Sequence, residues 1–380
     1  MDKKNISNQK EIYYLFSSIT HLQLYIPLVI EFSKINYKNI FIVRKSFKFN
    51  HCPINNKQNY EILLKYCNEY NVKIVYKKDI ILEKIMGIVF MVDGDIIGAH
   101  FKLKNNDSYN LYLNKKNTLR ISLVENINFK LLYKFYINDV DYCIFSNINC
   151  FKQFENISNK FKENNEKNLF LGNTKFDGLM RKKNIYKKYK LDKKKNYCLI
   201  LYPKLLLVQK DLINIRNLDK IYSYIKKLGF EIIVKIRPKD NHIPTKHKEI
   251  FYLPDKHKGV LNICSNYYPN ESLELMKISD LCIMFSSSGN EEALFTKIPC
   301  IDLSIDKKPR NNYLLNEKTC IRLYDWKNFT YEQFKNEFDK LAKKSEIEIF
   351  SKLKKKFIFD HKSSSKNYIK FLIENNYIKL

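Results

Sequence analysis

The segment Ile278–Asp302, ISDLCIMFSSSGNEEALFTKIPCID, gathers groups suited to holding an anion. An apolar run ends at Phe285, and Ser286, Ser287, Ser288 and Gly289 follow it. Glu291 and Glu292 then open a helical pattern. Hydroxyls and unpaired N–H groups at the start of a helix form an anion site. A carboxylate one turn in can accept hydrogen bonds from a ribose diol. The same residues also read as a serine-rich cap with acids that complement the helix dipole, and residue types alone leave both readings open. In the first half, His21 follows one apolar run and opens a helical one. That is a place for a proton-transfer or acceptor-orienting group, and equally for a cap-region histidine.

Such groups need strands that stop and helices that start beside them. Strands are expected at Ile12–Phe16, Asn39–Val43, Val72–Tyr76, Gly87–Val92, Arg120–Val124, Val140–Phe145 and Asn168–Leu171. Several are apolar nearly throughout, as strands covered on both faces should be. Helical stretches lie between them, as at His21–Ile35, Asn59–Tyr70 and Phe151–Lys162. Asp177–Lys195 is polar, basic and weakly periodic, and reads as a linker. The alternation then restarts: strand Tyr197–Tyr202, helix Asp211–Leu228, strands Glu231–Ile236 and Ile250–Leu253, and helix Glu271–Ile278. Strand Leu281–Phe285, helix Asn290–Thr296 and strand Pro299–Leu303 follow, and Tyr331–Leu380 is mostly helical. This pattern predicts an α/β chain of two Rossmann-like, doubly wound parallel-sheet domains facing across a cleft. The expected boundaries are 1–178 and 196–350, with a helical segment 351–380 packing back on the first domain.

The chain has 380 residues, and length over a typical domain size of about 150 also gives two domains. Apolar residues at 45% exclude wholesale disorder, and only 8 glycines and 9 prolines exclude linker-like or collagen-like material. The formal charge of +28 invites a nucleic-acid reading. Lysine greatly outnumbers arginine, however, and arginine is the usual reader of bases. The lysines are also spread along the chain, with short clusters at Lys182–Lys195 and Lys352–Lys356. A nucleic-acid partner is therefore disfavoured. Attraction to nucleotide phosphates or an anionic membrane surface fits better.

The nine cysteines show no CxxC spacing, so no zinc site or thioredoxin-like motif is indicated. Cys143, Cys198, Cys282 and Cys300 lie in apolar runs and fit a reducing cytoplasm. Ile12–Ile30 carries no charge over nineteen residues, yet includes Ser17, Ser18, Thr20, His21, Gln23 and Pro27. A strand, a turn and a helix account for it better than a membrane span. Nothing at the N-terminus has the pattern of a signal peptide.

The strand, Ser/Gly turn, Glu-Glu-Ala and short helix ending in Lys-x-Pro resemble the nucleotide-binding segment of UDP-N-acetylglucosamine 2-epimerases. Related segments occur in CDP-glycerol glycerophosphotransferases and other two-Rossmann (GT-B) sugar transferases. LGNTKFDGL, Leu171–Leu179, is similar to the Gly-Asn-Thr…Asp turn that closes the family's first domain. VKIRPKD, Val234–Asp240, occupies the place of its strand followed by His-Pro. FDHKSSSKNYIKFL, Phe359–Leu372, is similar to its C-terminal Asp-Gly-Lys-(Ala/Ser)-Ser segment. The four segments keep their order from about residue 12 to 372.

The resemblance implies that Ser286, Ser287, Ser288 and Gly289 cap a diphosphate and that Glu292 holds ribose hydroxyls. Arg237 would stand where the family has a histidine near the nucleotide, and a guanidinium can pair with phosphate in bidentate fashion. Lys308, in KKPR, offers a second phosphate contact or mere loop charge. Asp95, in VDGDIIG, matches the family's Gly-Asp loop, and Glu125, in SLVENINF, aligns with the glutamate of His-Val-Glu-Ala-Gly. Either carboxylate can serve as a general base or as a loop cap. The chain also departs from the epimerases. Leu123 replaces the histidine two residues before that glutamate. LYPKLLLVQKD replaces His-Arg-Arg-Glu-Asn, and SSITHLQLYIP replaces Gly-Thr-Arg-Pro-Glu.

Epimerisation needs acid/base groups on both faces of the sugar, and several of them are replaced. The expected function is therefore transfer from a nucleotide-activated sugar or CDP-polyol donor to a glycan or lipid-linked acceptor, in surface glycan synthesis. His21, Asp95 and Glu125 would activate the acceptor. The donor would be the only cofactor-like ligand. No metal is expected, because no Asp-x-Asp sits after a strand in a donor-binding position. The basic stretch Lys352–Lys356 would let a cytoplasmic enzyme touch an anionic membrane. The rival readings are a 2-epimerase, a basic nucleic-acid-binding protein, and a non-catalytic scaffold on the same fold.

Overall fold

The computed structural model describes residues 9–16, 18–43, 57–92, 113, 116–124, 140–149, 165–177, 182–202, 215–235, 261–263, 271–285, 289–305, 318–357 and 363–379. The chain divides into two compact units, Met1–Gly178 with Lys356–Leu380, and Leu179–Lys355.

The first unit is built on strands β1 (Glu11–Phe16), β2 (Lys38–Val43), β3 (Lys73–Tyr76), β4 (Gly87–Val92), β5 (Thr118–Leu123), β6 (Tyr142–Phe145) and β7 (Asn168–Phe170). All pair in parallel, in the order β3-β2-β1-β4-β5-β6-β7. Helix α1 (Leu22–Lys34) follows β1, and α2 (Lys57–Glu69) precedes β3. Aromatic side chains fill the layer between β1, β2, β4 and α1. Tyr14 stacks on Phe90 at 5.6 Å, Phe16 stacks on Phe41 at 5.1 Å, and Phe32 meets Phe90 at 5.8 Å. The buried hydroxyls find acceptors, as they must. Tyr14 donates to Asn39 Oδ1 at 2.8 Å and Tyr25 to the Leu15 carbonyl at 2.8 Å. The uncharged run Ile12–Ile30 is thus a strand, a short turn and a helix. No helix among the described residues is long and apolar enough to cross a membrane.

The second unit holds β8 (Tyr197–Leu201), β9 (Glu231–Lys235), β10 (Leu261–Ile263), β11 (Leu281–Met284), β12 (Cys300–Leu303) and β13 (Cys320–Leu323). They are again all parallel, in the order β10-β9-β8-β11-β12-β13. Among the described residues its helices, in chain order, are α3 (Lys182–Tyr189), α4 (Ile215–Lys227), α5 (Glu271–Ile278), α6 (Asn290–Thr296), α7 (Tyr331–Asp339) and α8 (Ile347–Phe357). Leu218, Ile221, Tyr222 and Ile225 of α4, at helical spacing, join one core with Ile200, Ile283 and Trp326. On the other face Ile185 and Tyr189 of α3 and Leu275 and Met276 of α5 cover Leu199 and Cys282.

Three elements differ from the sequence expectations. Residues 182–189, inside the expected linker, form α3. Only Ile185 and Tyr189 mark its buried side, too few to register as a period among lysines. Tyr189 and Lys188 reach Glu274 of α5 at 2.9 and 2.7 Å, which fixes the helix. Strands β10 and β13 were not expected; β13 is disguised by Arg322 inside an apolar run. The expected helix 151–162 and strand 250–253 lie outside the described residues.

The C-terminal helix α9 (Ser364–Glu374) belongs to the first unit and packs on α1. Two of the family-like segments make this joint. Gly172 takes φ +90°, open to glycine, and its carbonyl accepts from Tyr368 at 2.8 Å. Asn173 caps a short turn through Lys175 N–H at 3.0 Å, and Thr174 donates to the Leu24 carbonyl of α1 at 2.7 Å. Asp177 receives the amides of Ser364 and Ser365 at 2.9 and 2.7 Å and the Ser365 hydroxyl at 2.6 Å. A carboxylate at a helix N-terminus satisfies orphan donors and the dipole together.

The six described cysteines, Cys67, Cys143, Cys198, Cys282, Cys300 and Cys320, are free and buried. Burial pushes the Cys67 thiol up to about 12 and those of Cys198 and Cys282 well above the ordinary value, and a hydrogen bond with Cys320, together with burial, does the same for Cys300. Because the reagent must reach the sulfur, none of these six buried thiols should be alkylated by iodoacetamide at mildly alkaline pH in the native chain. All six should react in urea. Peptide mapping that found any of them modified before unfolding would contradict this packing.

Candidate functional site

Both sheets share one feature of consequence. Strand order runs outward in one direction from β1 and in the other from β4, and likewise from β8 and β11. Neighbouring connections therefore leave on opposite faces, which opens a crevice beyond the carboxyl ends of those strands. Ligands of doubly wound sheets bind at such switch points.

In the first unit the switch point lies beside the turn after β1. Ser18 accepts from the Thr20 amide at 3.4 Å and starts a short 3₁₀ turn, Ile19–His21, that leads into α1. His21 is the N-cap residue of α1 and is only 4% exposed. Its ring stands edge-on to Phe16 at 5.9 Å and to Tyr25 at 5.7 Å. It thus sits at the end of β1 but is wrapped in aromatic faces. Asp95 and Glu125 follow the ends of β4 and β5 in sequence, and both lie outside the described residues. By chain position the three candidates follow three adjacent strands at their carboxyl ends.

In the second unit the switch point receives the chain from β11. Phe285 is buried, Ser286, Ser287 and Ser288 lie outside the described residues, and Gly289 is the N-cap residue of α6. Gly289 has φ −64° and ψ −3°, ordinary helical values that any residue adopts. Glu291 and Glu292 fall in the first turn of α6. Glu292 and Asp302 are close enough to Cys282 of β11 for their charges to help hold its thiol protonated. Arg237 follows the end of β9 and Lys308 follows β12; both lie outside the described residues.

Two buried ion pairs near these strand ends escaped the sequence reading. Asp302 of β12 and Arg322 of β13 are partners in register, with Nε at 2.9 Å and Nη2 at 2.5 Å from one carboxylate oxygen. Lys235, the last residue of β9, lies 3.1 Å from Glu271, the first residue of α5. Burial raises the Glu271 carboxyl, and the nearby Lys235 charge opposes that shift. The available signal was a charge inside an otherwise apolar strand, as in VKI, PCID and CIRL. Pairing them needed the strand order, which no local window contains.

No family model matches the chain, and no curated protein matches it by sequence. Solved structures do match by shape. A UDP-GlcNAc 2-epimerase from Neisseria meningitidis, bound to UDP-GlcNAc, aligns at 14% identity and a TM-score of 0.61, over 96% of this chain and 100% of that one. The glycotransferase of kitacinnamycin aligns at 10% identity and a TM-score of 0.58, over 96% and 98%. The wall teichoic acid polymerase TagF aligns at 17% identity and a TM-score of 0.56, over 99% and 91%. At such identities the likeness speaks for architecture alone: the chain has the α/β, two-Rossmann (GT-B) fold that these epimerases and transferases share.

Proposed function

We propose that this chain is a transferase that moves a sugar or polyol phosphate from a nucleotide-activated donor to a glycan or lipid-linked acceptor, in surface glycan synthesis. The observation that carries this reading is the pair of switch points. His21 follows β1 at one, and Gly289 and Glu292 follow β11 at the other. Enzyme neighbours across nearly the whole chain support it. In this reading Ser286, Ser287, Ser288, Arg237 and Lys308 hold the diphosphate, and Glu292 accepts from the ribose. Fixed donors around the leaving diphosphate stabilise it as charge develops. His21, Asp95 or Glu125 takes the proton of the acceptor hydroxyl. The donor needs no metal and no further cofactor. The work is done in a reducing cytoplasm, and the acceptor side faces an anionic membrane that the exposed Lys352, Lys355 and Lys356 of α8 can touch.

A thermal-shift screen against UDP-, CDP-, GDP- and CMP-linked donors tests the reading. A donor at about 100 times its dissociation constant adds roughly 2.7 kcal/mol of stability. Arg237→Ala and Glu292→Gln should each weaken that donor about 10- to 100-fold, the worth of a hydrogen bond to a charged group. The ligand-free melting temperature should hardly move. If either variant unfolds, its side chain is structural and the assignment is wrong.

A second reading, a 2-epimerase, is favoured by the TM-score of 0.61 to the Neisseria enzyme against 0.56 to TagF. Incubation with UDP-N-acetylglucosamine in deuterated water separates the two. Deuterium at C2 supports the epimerase and removes the transferase.

A further inference from the structure

The segment first read as a linker is a two-faced helix. Ile185 and Tyr189 of α3 are buried against the second sheet. Lys183 and Lys187 are exposed, and their four-residue spacing puts them on the opposite side of the helix; Lys190, also exposed, stands just past the helix end with φ +55°. The turn that follows adds exposed Lys193, Lys194 and Lys195. Lys183 and Lys187 stand about 6 Å apart along the helix, and Lys190 and the turn extend the row.

Hardly any of this charge is neutralised. Lys195 lies 3.5 Å from Glu231, and Lys188, on the inner side, pairs with Glu274. Lys183, Lys187, Lys190, Lys193 and Lys194 make no ion pair among the described residues. The one acid in the stretch, Asp192, is engaged by the Lys194 amide at 2.9 Å. Five ammonium groups thus stand on this face with Asp192 as the one carboxylate in the stretch.

We propose that α3 and the turn after it form a docking face for an anionic phospholipid surface. Juxtaposed lysines suit a diffuse, two-dimensional negative charge, each adding about fivefold in affinity. A nucleic acid fits the face less well. The stretch has no arginine, Tyr189 is buried, and Tyr186 is half-buried with its hydroxyl on the Ile278 carbonyl, so no ring is free for base stacking. The inference needs neither a nucleotide nor a transfer reaction, so it stands apart from the function proposed above.

The test is co-sedimentation of the full chain with vesicles of phosphatidylcholine alone and of phosphatidylcholine mixed with phosphatidylglycerol, at about 0.1 M salt. The native chain should bind the mixed vesicles and not the neutral ones. The triple variant Lys183→Gln, Lys187→Gln, Lys190→Gln should bind them roughly a hundredfold more weakly, with its melting temperature unchanged. The charge-matched triple Lys73→Gln, Lys78→Gln, Lys84→Gln, exposed in the first unit, should keep the native affinity. Equal losses in both triples would mean bulk charge only and would overturn the proposal. So would a loss carried instead by Lys352→Gln, Lys355→Gln, Lys356→Gln, or no binding by the native chain. A first triple that lost duplex DNA while keeping vesicles would assign the face to nucleic acid and overturn it as well.

Discussion

Asp302→Ala is expected to lower the stability of the second unit by about 3–5 kcal/mol, the cost of stranding one member of a buried ion pair. Asp302 is fully buried and Arg322 is 7% exposed, so water cannot replace the lost carboxylate. The guanidinium would keep its charge, because arginine does not deprotonate in proteins. The chain provides its own reporter. Its single tryptophan, Trp326, is 1% exposed in the second unit and donates to the Ser304 carbonyl, the next residue but one after Asp302. Urea unfolding followed by tryptophan fluorescence therefore reads the affected unit. The double variant Asp302→Leu, Arg322→Met should recover most of the loss, since an apolar pair of similar volume often matches or exceeds a buried ion pair. A single variant that melts like the native chain would mean that Arg322 finds another carboxylate, and the pair would lose its structural role.

Asp177→Ala is expected to loosen α9 from the first unit by about 2–4 kcal/mol, from charged hydrogen bonds and a helix cap lost together. Asp177 takes two amides and two serine hydroxyls at the start of α9, with Ser363 at 3.2 Å and the others at 2.9 Å or less. Hydrogen exchange of the α9 amides should accelerate by more than tenfold, while the Trp326 unfolding signal stays in place. Asp177→Asn keeps an acceptor oxygen and should fall between the two. Unchanged exchange in the alanine variant would show that Tyr368, Ile369 and Leu372, all buried, hold α9 without the cap.

The fold could be read early because most strands here are covered on both faces. GIVFMV and LCIM are buried throughout, and no polar alternation masks them. What failed was local pattern where burial is sparse or charge intrudes. Two inward residues among four lysines did not announce α3, and Arg322 hid β13. For the site, the Ser/Gly/Glu segment was visible because its chemistry is contiguous. That it enters a switch point depends on the pairing of β8 with β11, set by chain separated by some eighty residues. His21 was found by position, but its enclosure by Phe16 and Tyr25 rests on packing. The LGNTKFD segment was recognised by likeness, and only the hydrogen bonds of Asn173, Thr174 and Asp177 show that it anchors a helix.

The first unit is discontinuous in sequence: the chain leaves it after Gly178 and re-enters at Lys356, so residues 179–355 are an insertion. A premature stop near the end of the gene would therefore injure the amino-terminal half, by deleting α9 from the layer over α1. Expression of residues 1–178 by themselves should yield an insoluble or partly unfolded product. Excising the insertion and splicing 178 to 356 through a short flexible tether is the cut that respects the architecture.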